Sequence, residues 1–212
     1  FFDCSKSTTK RLAPISFPSC PMLGVIGVAP SGDAPISTMP AGTHGGNLDN
    51  KANGIGSTIY LPISHPGALL SIGDMHASQG DGEISGTGVE IGGHVLLKCH
   101  VIPQKHLYPS SSSSLPKEQT QLLFPITETK THWITHGVLV ENIPQTTNIA
   151  CEEAAKILIG QRGFTPEEAF LFLSVKGDLG LCQSCHPDQG TQIAKMTVEK
   201  LEVCPRPFRV LL

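Results

Sequence analysis

Two short clusters between Thr43 and Glu83 constrain this chain more than any other feature. The first reads Thr43-His44-Gly45-Gly46-Asn47-Leu48-Asp49. The second reads Gly73-Asp74-Met75-His76-Ala77-Ser78-Gln79-Gly80-Asp81-Gly82-Glu83, and a strand-like segment, residues 57–63, lies between them. Imidazoles and carboxylates are costly to gather unless water, a metal or a substrate satisfies them. The interleaved glycines let the backbone take left-handed turns and approach a ligand closely. Together these features read as an active site, and as a metal site.

The rest of the composition suits a scaffold of short strands. With 22 glycines, 17 prolines and 5% aromatic residues, the chain favours turns and strands over long helices. Its 212 residues are ample for a core. Neither an internal repeat nor a linker is visible, so residues 1–212 are read as one mainly β, α+β unit. The 15 basic and 18 acidic side chains are spread along the sequence, with a net charge of −3. No clustered basic face for nucleic acid is expected from this pattern. No apolar run reaches the ~18 residues of a membrane span. The start, Phe1-Phe2-Asp3-Cys4, has no initiator Met, basic n-region or long apolar h-region, and reads as internal to a longer protein. Seven cysteines at positions 4, 20, 99, 151, 182, 185 and 204 are odd in number and irregular in spacing. They read as reduced thiols of a cytoplasmic protein.

Local patterns place the elements. Pro21 to Pro30 reads as a buried strand, and 58–63 and 68–74 as further strands, the last running into the second cluster. Residues 88–102 read as a strand or strand pair with Val95, Leu97, Cys99 and Val101 on a buried face. Ser110 to Ser114 is read as a flexible surface excursion, and 131–138 as a strand. A helix is expected over 150–159 with Ala150, Ala154, Ile157 and Leu158 on one face. Thr165-Pro166-Glu167-Glu168 is a capping-box start for a second helix, apolar on nearly every side and expected to be buried, which ends at 176–180. Residues 191–203 alternate as a last strand.

Within the clusters, Asp74 and His76 stand at i and i+2 of an expected strand, so both side chains can reach one ion. Carboxylate oxygen and imidazole nitrogen suit zinc or another divalent metal. Glu83 has the character of a general base beside a bound water. Asp81 either joins that chemistry or holds the Gly80–Gly82 turn. Asp49 is either a further ligand or the head of an Asx-turn. His65 reads as a surface residue, and His94, His100, His106, His132 and His136 as core or surface histidines without ligand spacing. Cys182-Gln183-Ser184-Cys185-His186 matches the C-x-x-C-H pattern of haem attachment, but two unpaired structural thiols are the leading reading, with a redox dithiol or metal clip as alternatives.

These segments, with Gly56-Ser57-Thr58-Ile59-Tyr60-Leu61-Pro62 and Gly163-Phe164-Thr165-Pro166-Glu167-Glu168-Ala169-Phe170, resemble the acetamidase/formamidase family. The likeness is strong over 20–105 and looser over 150–200. It implies a hydrolase of carbon–nitrogen bonds in small linear amides, a β-sandwich or barrel-like part joined to a smaller α+β part with two late helices, and a homo-oligomer. Members carry a further N-terminal portion, and they do not carry the Cys182-x-x-Cys185-His186 run. The resemblance points to His44, Asn47, Asp49, Asp74, His76, Asp81 and Glu83. The expected assignment is a divalent ion, zinc first, on His44, Asp49, Asp74 and His76. Catalytic roles fall to Glu83 as base, Asn47 at the oxyanion, and Asp81. The rival expectations are a catalytically inactive β-rich binding or assembly module and a haem or thiol redox module on Cys182 and Cys185.

Overall fold

A computed structural model describes residues 15–103, 122–139, 142–186 and 191–200. The sequence readings at the chain start (1–14), the Ser110–Ser114 run, His106, the side chain of His186 and the end of the last strand (201–203) lie outside the described residues or side chains.

The Val/Ile-rich segment after Pro21 forms β1 (Met22–Gly27). It lies between β3 (Gly45–Asn47) and β5 (Ser71–His76), and the short β2 (Ala41–Gly42) adds beyond β3, all antiparallel. The register sets the geography of the site: Met22 pairs with His76 at one end of β1, and Gly27 pairs with Gly45 and Ser71 at the other. The second sheet has the order β4 (Thr58–Tyr60), β6 (Ile126–Glu128), β7 (His132–Leu139), β9 (Thr191–Glu199), β8 (Gly177–His186), again antiparallel.

The alternation on β9 separates two apolar clusters. Ala194, Met196 and Val198 face a helical layer, whereas Ile193 packs with Leu48, Val138 and Cys182 between the sheets. The helical layer is α1 (Ile143–Ile157), a π-helical turn (Leu158–Arg162) closed by Gly163 at φ 66°, and α2 (Pro166–Lys176). Helix α1 rests directly on β7. A Cβ at Gly137 would collide with the Thr146 carbonyl, and the Thr135 hydroxyl donates to the Ala150 carbonyl at 2.7 Å. The chain is therefore a two-sheet β structure with two late helices, as expected.

A polar seam also joins the sheets. His136 is fully buried, with Nδ1 against the Pro125 carbonyl at 2.7 Å and Nε2 against Asn50 Nδ2 at 2.8 Å. Burial pushes its pKa down to about 4, which keeps the ring neutral. Thr127 Oγ1 donates to Asn53 Oδ1 at 2.6 Å. This seam fixes the turn that follows Asp49.

Several expectations needed correction. The alternating segment 88–102 forms no ladder: only Glu90 bridges to His76, and Val95, Leu96, Leu97, Cys99 and Val101 are exposed. Alternation yields a strand only where a neighbouring strand takes up its hydrogen bonds in succession, and here the pairing is confined to 89–91, with Ile91 N on the Met75 carbonyl and Val89 N on the Ser78 carbonyl, each 2.9 Å. Helix α2 buries Ala169, Phe172 and Leu173 but exposes Phe170, Leu171 and Val175, because only one side meets the sheet. Helix α1 begins at Ile143 rather than at Ala150: the Asn142 side chain accepts from Gln145 N at 3.1 Å, and Pro144 sits in the first turn. The helix does end at Lys176 as expected, but Gly177 then opens β8, a strand the sequence pattern did not show. The strand expected over 68–74 starts at Ser71, since Ala68 and Leu69 complete a turn at φ 57° and 53°. His65 is half-buried, with Nε2 at 2.8 Å from the Pro30 carbonyl.

The capping box at α2 is present in both halves: Thr165 Oγ1 accepts from Glu168 N at 3.2 Å, and Glu168 Oε2 accepts from Thr165 N at 2.9 Å. Thr165→Ala removes one half, and urea unfolding is expected to show a loss of about 1 kcal/mol.

Candidate functional site

The second cluster starts on a strand and finishes on turns. At the end of β5, Asp74 and His76 reach one point, with His76 Nε2 3.2 Å from Asp74 Oδ1. Asp49 follows β3, and its backbone N–H and that of Leu48 both donate to the Gly24 carbonyl on β1, at 3.1 and 3.0 Å. Glu83 closes the Gly80–Glu83 turn, with its N–H on the Gly80 carbonyl at 3.2 Å. That turn is tied to β8 by Gly82 N to Cys182 O and Ser184 N to Gly82 O, each 3.0 Å. Glu90 arrives from the segment beyond, with Oε1 2.9 Å from His76 Nε2, and Glu83 Oε1 lies 4.0 Å from the same nitrogen.

Two backbone features show how closely the acids are forced together. Asp49, Asp74 and Glu83 all have positive φ, at 45°, 54° and 41°, and they are three of the five non-glycine residues in that region among the described residues. Left-handed backbone costs on the order of 1 kcal/mol per residue and persists only where surrounding structure imposes it. Missing side chains provide the space. A Cβ at Gly24 would collide with Asp74 Oδ2 and stand 2.6 Å from Asp49 Oδ1. A Cβ at Gly88 would stand 2.6 Å from His76 Nδ1.

The buried His76 ring is oriented by Gln79, whose Oε1 lies 2.8 Å from Nδ1 while its Nε2 donates to the Asp49 carbonyl at 2.5 Å. That contact favours a proton on Nδ1 and leaves Nε2 turned toward the carboxylates. Burial alone would lower the His76 pKa, but Gln79 and the charges of Asp74, Glu90 and Asp49 outweigh it and raise the value. Burial raises Asp49 to about 7, reinforced by Glu83 and Asp74. Its Oδ1 is buried without a hydrogen-bond partner.

An orphaned carboxylate oxygen, an imidazole nitrogen and a second carboxylate around a glycine-cleared space fit a divalent ion. The ligand atoms of Asp49, Asp74 and His76 lie within 4.8 Å of one another, and those of His76, Glu83 and Glu90 form a second such group. Oxygen and nitrogen donors of this kind suit zinc and other divalent metals without selecting one.

Of the residues singled out from sequence, Asp49, Asp74, His76 and Glu83 are brought together. Asp81 stands beside them, but its carboxylate is bonded to Lys195 at 2.5 Å and Lys51 at 3.0 Å. Burial would raise its pKa, and these two lysines hold it below the ordinary value instead. His44 belongs to neither group of candidate ligands. It sits in the β2–β3 turn, at the end of β1 opposite His76, roughly 15 Å away by the strand rise. The Asn47 side chain donates to the Met39 carbonyl at 3.0 Å.

The sequence profile of the Acetamidase/Formamidase family matches residues 33–179. The chain belongs to that family. It is 38% identical over 108 residues to the formamidase of Methylophilus methylotrophus, an alignment taking in 47% of this chain and 26% of the relative. The acetamidase of Bacillus halodurans matches with a TM-score of 0.67 at 35% identity, over 92% of this chain and 57% of that one. The recombinant predicted acetamidase/formamidase of the thermophile Thermoanaerobacter tengcongensis matches with a TM-score of 0.73 at 30% identity, over 87% of this chain and 55% of that one. This chain of the Acetamidase/Formamidase family thus spans a little over half the length of these solved relatives.

Sequence reasoning missed Glu90, Gln79, Gln183, Gly24 and Gly88 as parts of the site. Gln79 and Gly24 lie inside stretches already singled out, so proximity was a usable signal for them. Gln183 lies 134 residues from Asp49 and is brought in by sheet packing alone. Its stretch contains Cys182, buried and free, and Cys185, free and 3.7 Å from Glu83 Oε2.

The raised Asp49 pKa has a measurable consequence in metal-free protein. With the folded value near 7 against an ordinary 3.8, its stabilising contribution is complete below pH 3.8 and lost as pH rises through about 7. His136 acts in the opposite sense, contributing above pH 6.5 and losing that contribution as pH falls through about 4. Comparison with Asp49→Asn isolates the first effect. Relative to the unmodified chain, Asp49→Asn should gain on the order of 2–4 kcal/mol between pH 5 and 8 in urea titrations.

Proposed function

We propose that this cluster hydrolyses small linear amides, with water cleaving the C–N bond to give a carboxylate and ammonia. The observation that carries the reading is Glu83. In a chain of the Acetamidase/Formamidase family, one of its oxygens is fixed by Gln183 at 3.0 Å and the other lies 4.0 Å from His76 Nε2, beside the candidate ligands.

In this proposal Asp49 Oδ1, Asp74 and His76 Nε2 hold a divalent ion, zinc being the first choice on donor chemistry. A divalent ion bound there supplies Lewis acidity, polarising the amide carbonyl and lowering the pKa of a bound water. Gln79 keeps the His76 ring oriented, and Gly24 and Gly88 keep the space clear. Glu83 Oε1 accepts the proton of the attacking water and returns it to the departing nitrogen, so that ammonia leaves rather than an amide anion. Asp81 serves as the ion-paired anchor of the Gly80–Glu83 turn, and neither His44 nor Asn47 takes part in the step. The apolar side chains of Phe170, Leu171 and Val175 on the outer face of α2 are consistent with assembly into a homo-oligomer.

Because relatives are nearly twice as long, a metal-binding module without turnover is the second reading. Ammonia release from formamide and acetamide, with and without chelator, separates the two. The amidase reading expects release that chelator abolishes and zinc restores. Zinc uptake with no ammonia would favour the binding module, and hydrolysis indifferent to chelator would retain the amidase without the metal. Glu83→Gln should lower kcat by about 100-fold or more while still binding zinc.

A further inference from the structure

Gln183 is absent from the chemistry above as an actor, yet it touches both carboxylates that matter most. It is 2% exposed on β8, and its Nε2 donates to Asp49 Oδ2 and, at 3.0 Å, to Glu83 Oε2. The consequence lies in the oxygens it leaves alone. Asp49 Oδ1 is buried and unpartnered beside Asp74 and His76, and Glu83 Oε1 is the oxygen 4.0 Å from His76 Nε2. One amide therefore spends one oxygen of each acid and leaves the other for the centre.

The backbone is arranged to place this amide there. Leu181 pairs with Ala194 and Gln183 with Ile193, so Cys182 is an extra residue on β8. Successive residues of a regular strand face opposite sides, whereas across this bulge both Cys182 and Gln183 are buried. The bulge lies where Gly82 N donates to Cys182 O and Ser184 N to Gly82 O, which locks the turn carrying Glu83 to the same segment.

We propose that Gln183 is a positioning residue that orients Asp49 and Glu83, one oxygen each, toward the ion and water at His76. This rests on the metal-assisted reading above. Removing the amide leaves two neighbouring acids free to rotate, and outer-shell partners of metal ligands commonly change ion affinity by about 10–100-fold.

The test is zinc affinity by titration calorimetry on metal-stripped full chain, with the fold checked by circular dichroism. Gln183→Met, similar in length and without donors, should bind zinc at least ten-fold more weakly. Gln183→Asn, too short to reach both acids, should also bind more weakly, and it stands in if the methionine variant does not fold. Ser184→Ala loses only the bond from its hydroxyl to the Gly82 carbonyl (3.2 Å) and serves as the structural control, with a lower Tm and unchanged zinc affinity. Wild-type protein that binds zinc, with both Gln183 variants within two-fold of it, would overturn the positioning role and leave the metal reading standing. Wild-type protein that takes up no zinc would overturn both.

Discussion

Carboxylates repel one another, and the site depends on four of them being held around a single imidazole. Asp74, Glu90 and Glu83 stand 3.2, 2.9 and 4.0 Å from His76 Nε2, with Asp49 behind them. Like charges gathered this closely repel unless a cation or proton sits among them, most strongly for the buried Asp49 and Glu83, since water screens the more exposed Asp74 and Glu90. Burial first and then the neighbouring Glu83 and Asp74 raise the Asp49 pKa, while Gln79 and the surrounding acids raise that of His76 against its burial, so each group holds its proton more tightly than in water. Much of the surrounding fold can be understood as restraint on this cluster.

The restraint comes from both sheets. The first sheet supplies β1, whose Gly24 leaves room for Asp49 and Asp74 and whose carbonyl at that residue anchors the Asp49 backbone. The second supplies the bulged β8 with Gln183, and Lys195 on β9, which grips Asp81 beside Lys51. The Asn50–His136–Pro125 seam fixes the next turn. Left-handed backbone at Asp49, Asp74 and Glu83 is tolerated because these contacts over-determine it.

What could be read from the sequence divides along a physical line. Features with a local cause were legible: the capping box at Thr165, the alternation of β9, and the same-face pairing of Asp74 with His76. Features caused by distant contacts were not. The bulge at Cys182 and the arrival of Gln183 depend on how β8 meets β9 and the Gly82 turn, and no periodicity announces that. The alternating segment after Gly88 shows the converse, a strand pattern with no ladder among the described residues. His44 carries the same lesson within the site. Its glycine-rich setting resembles that of His76, but the register of β1 puts the two at opposite ends of one strand. Four of the seven candidate residues, Asp49, Asp74, His76 and Glu83, lie together in the structure, and sheet geometry decides where the others sit.

In the proposed centre Asp49, Asp74 and His76 hold one ion with Glu83 beside it. Anomalous diffraction at the zinc edge from crystals of the zinc-loaded chain tests it directly. A peak within ordinary bonding distance, ~2.0–2.2 Å, of Asp49 Oδ1, an Asp74 oxygen and His76 Nε2, with Glu83 outside that distance, is the predicted result. A peak bound instead by His44 or by the Cys182–Cys185 segment, with none at His76, would contradict it.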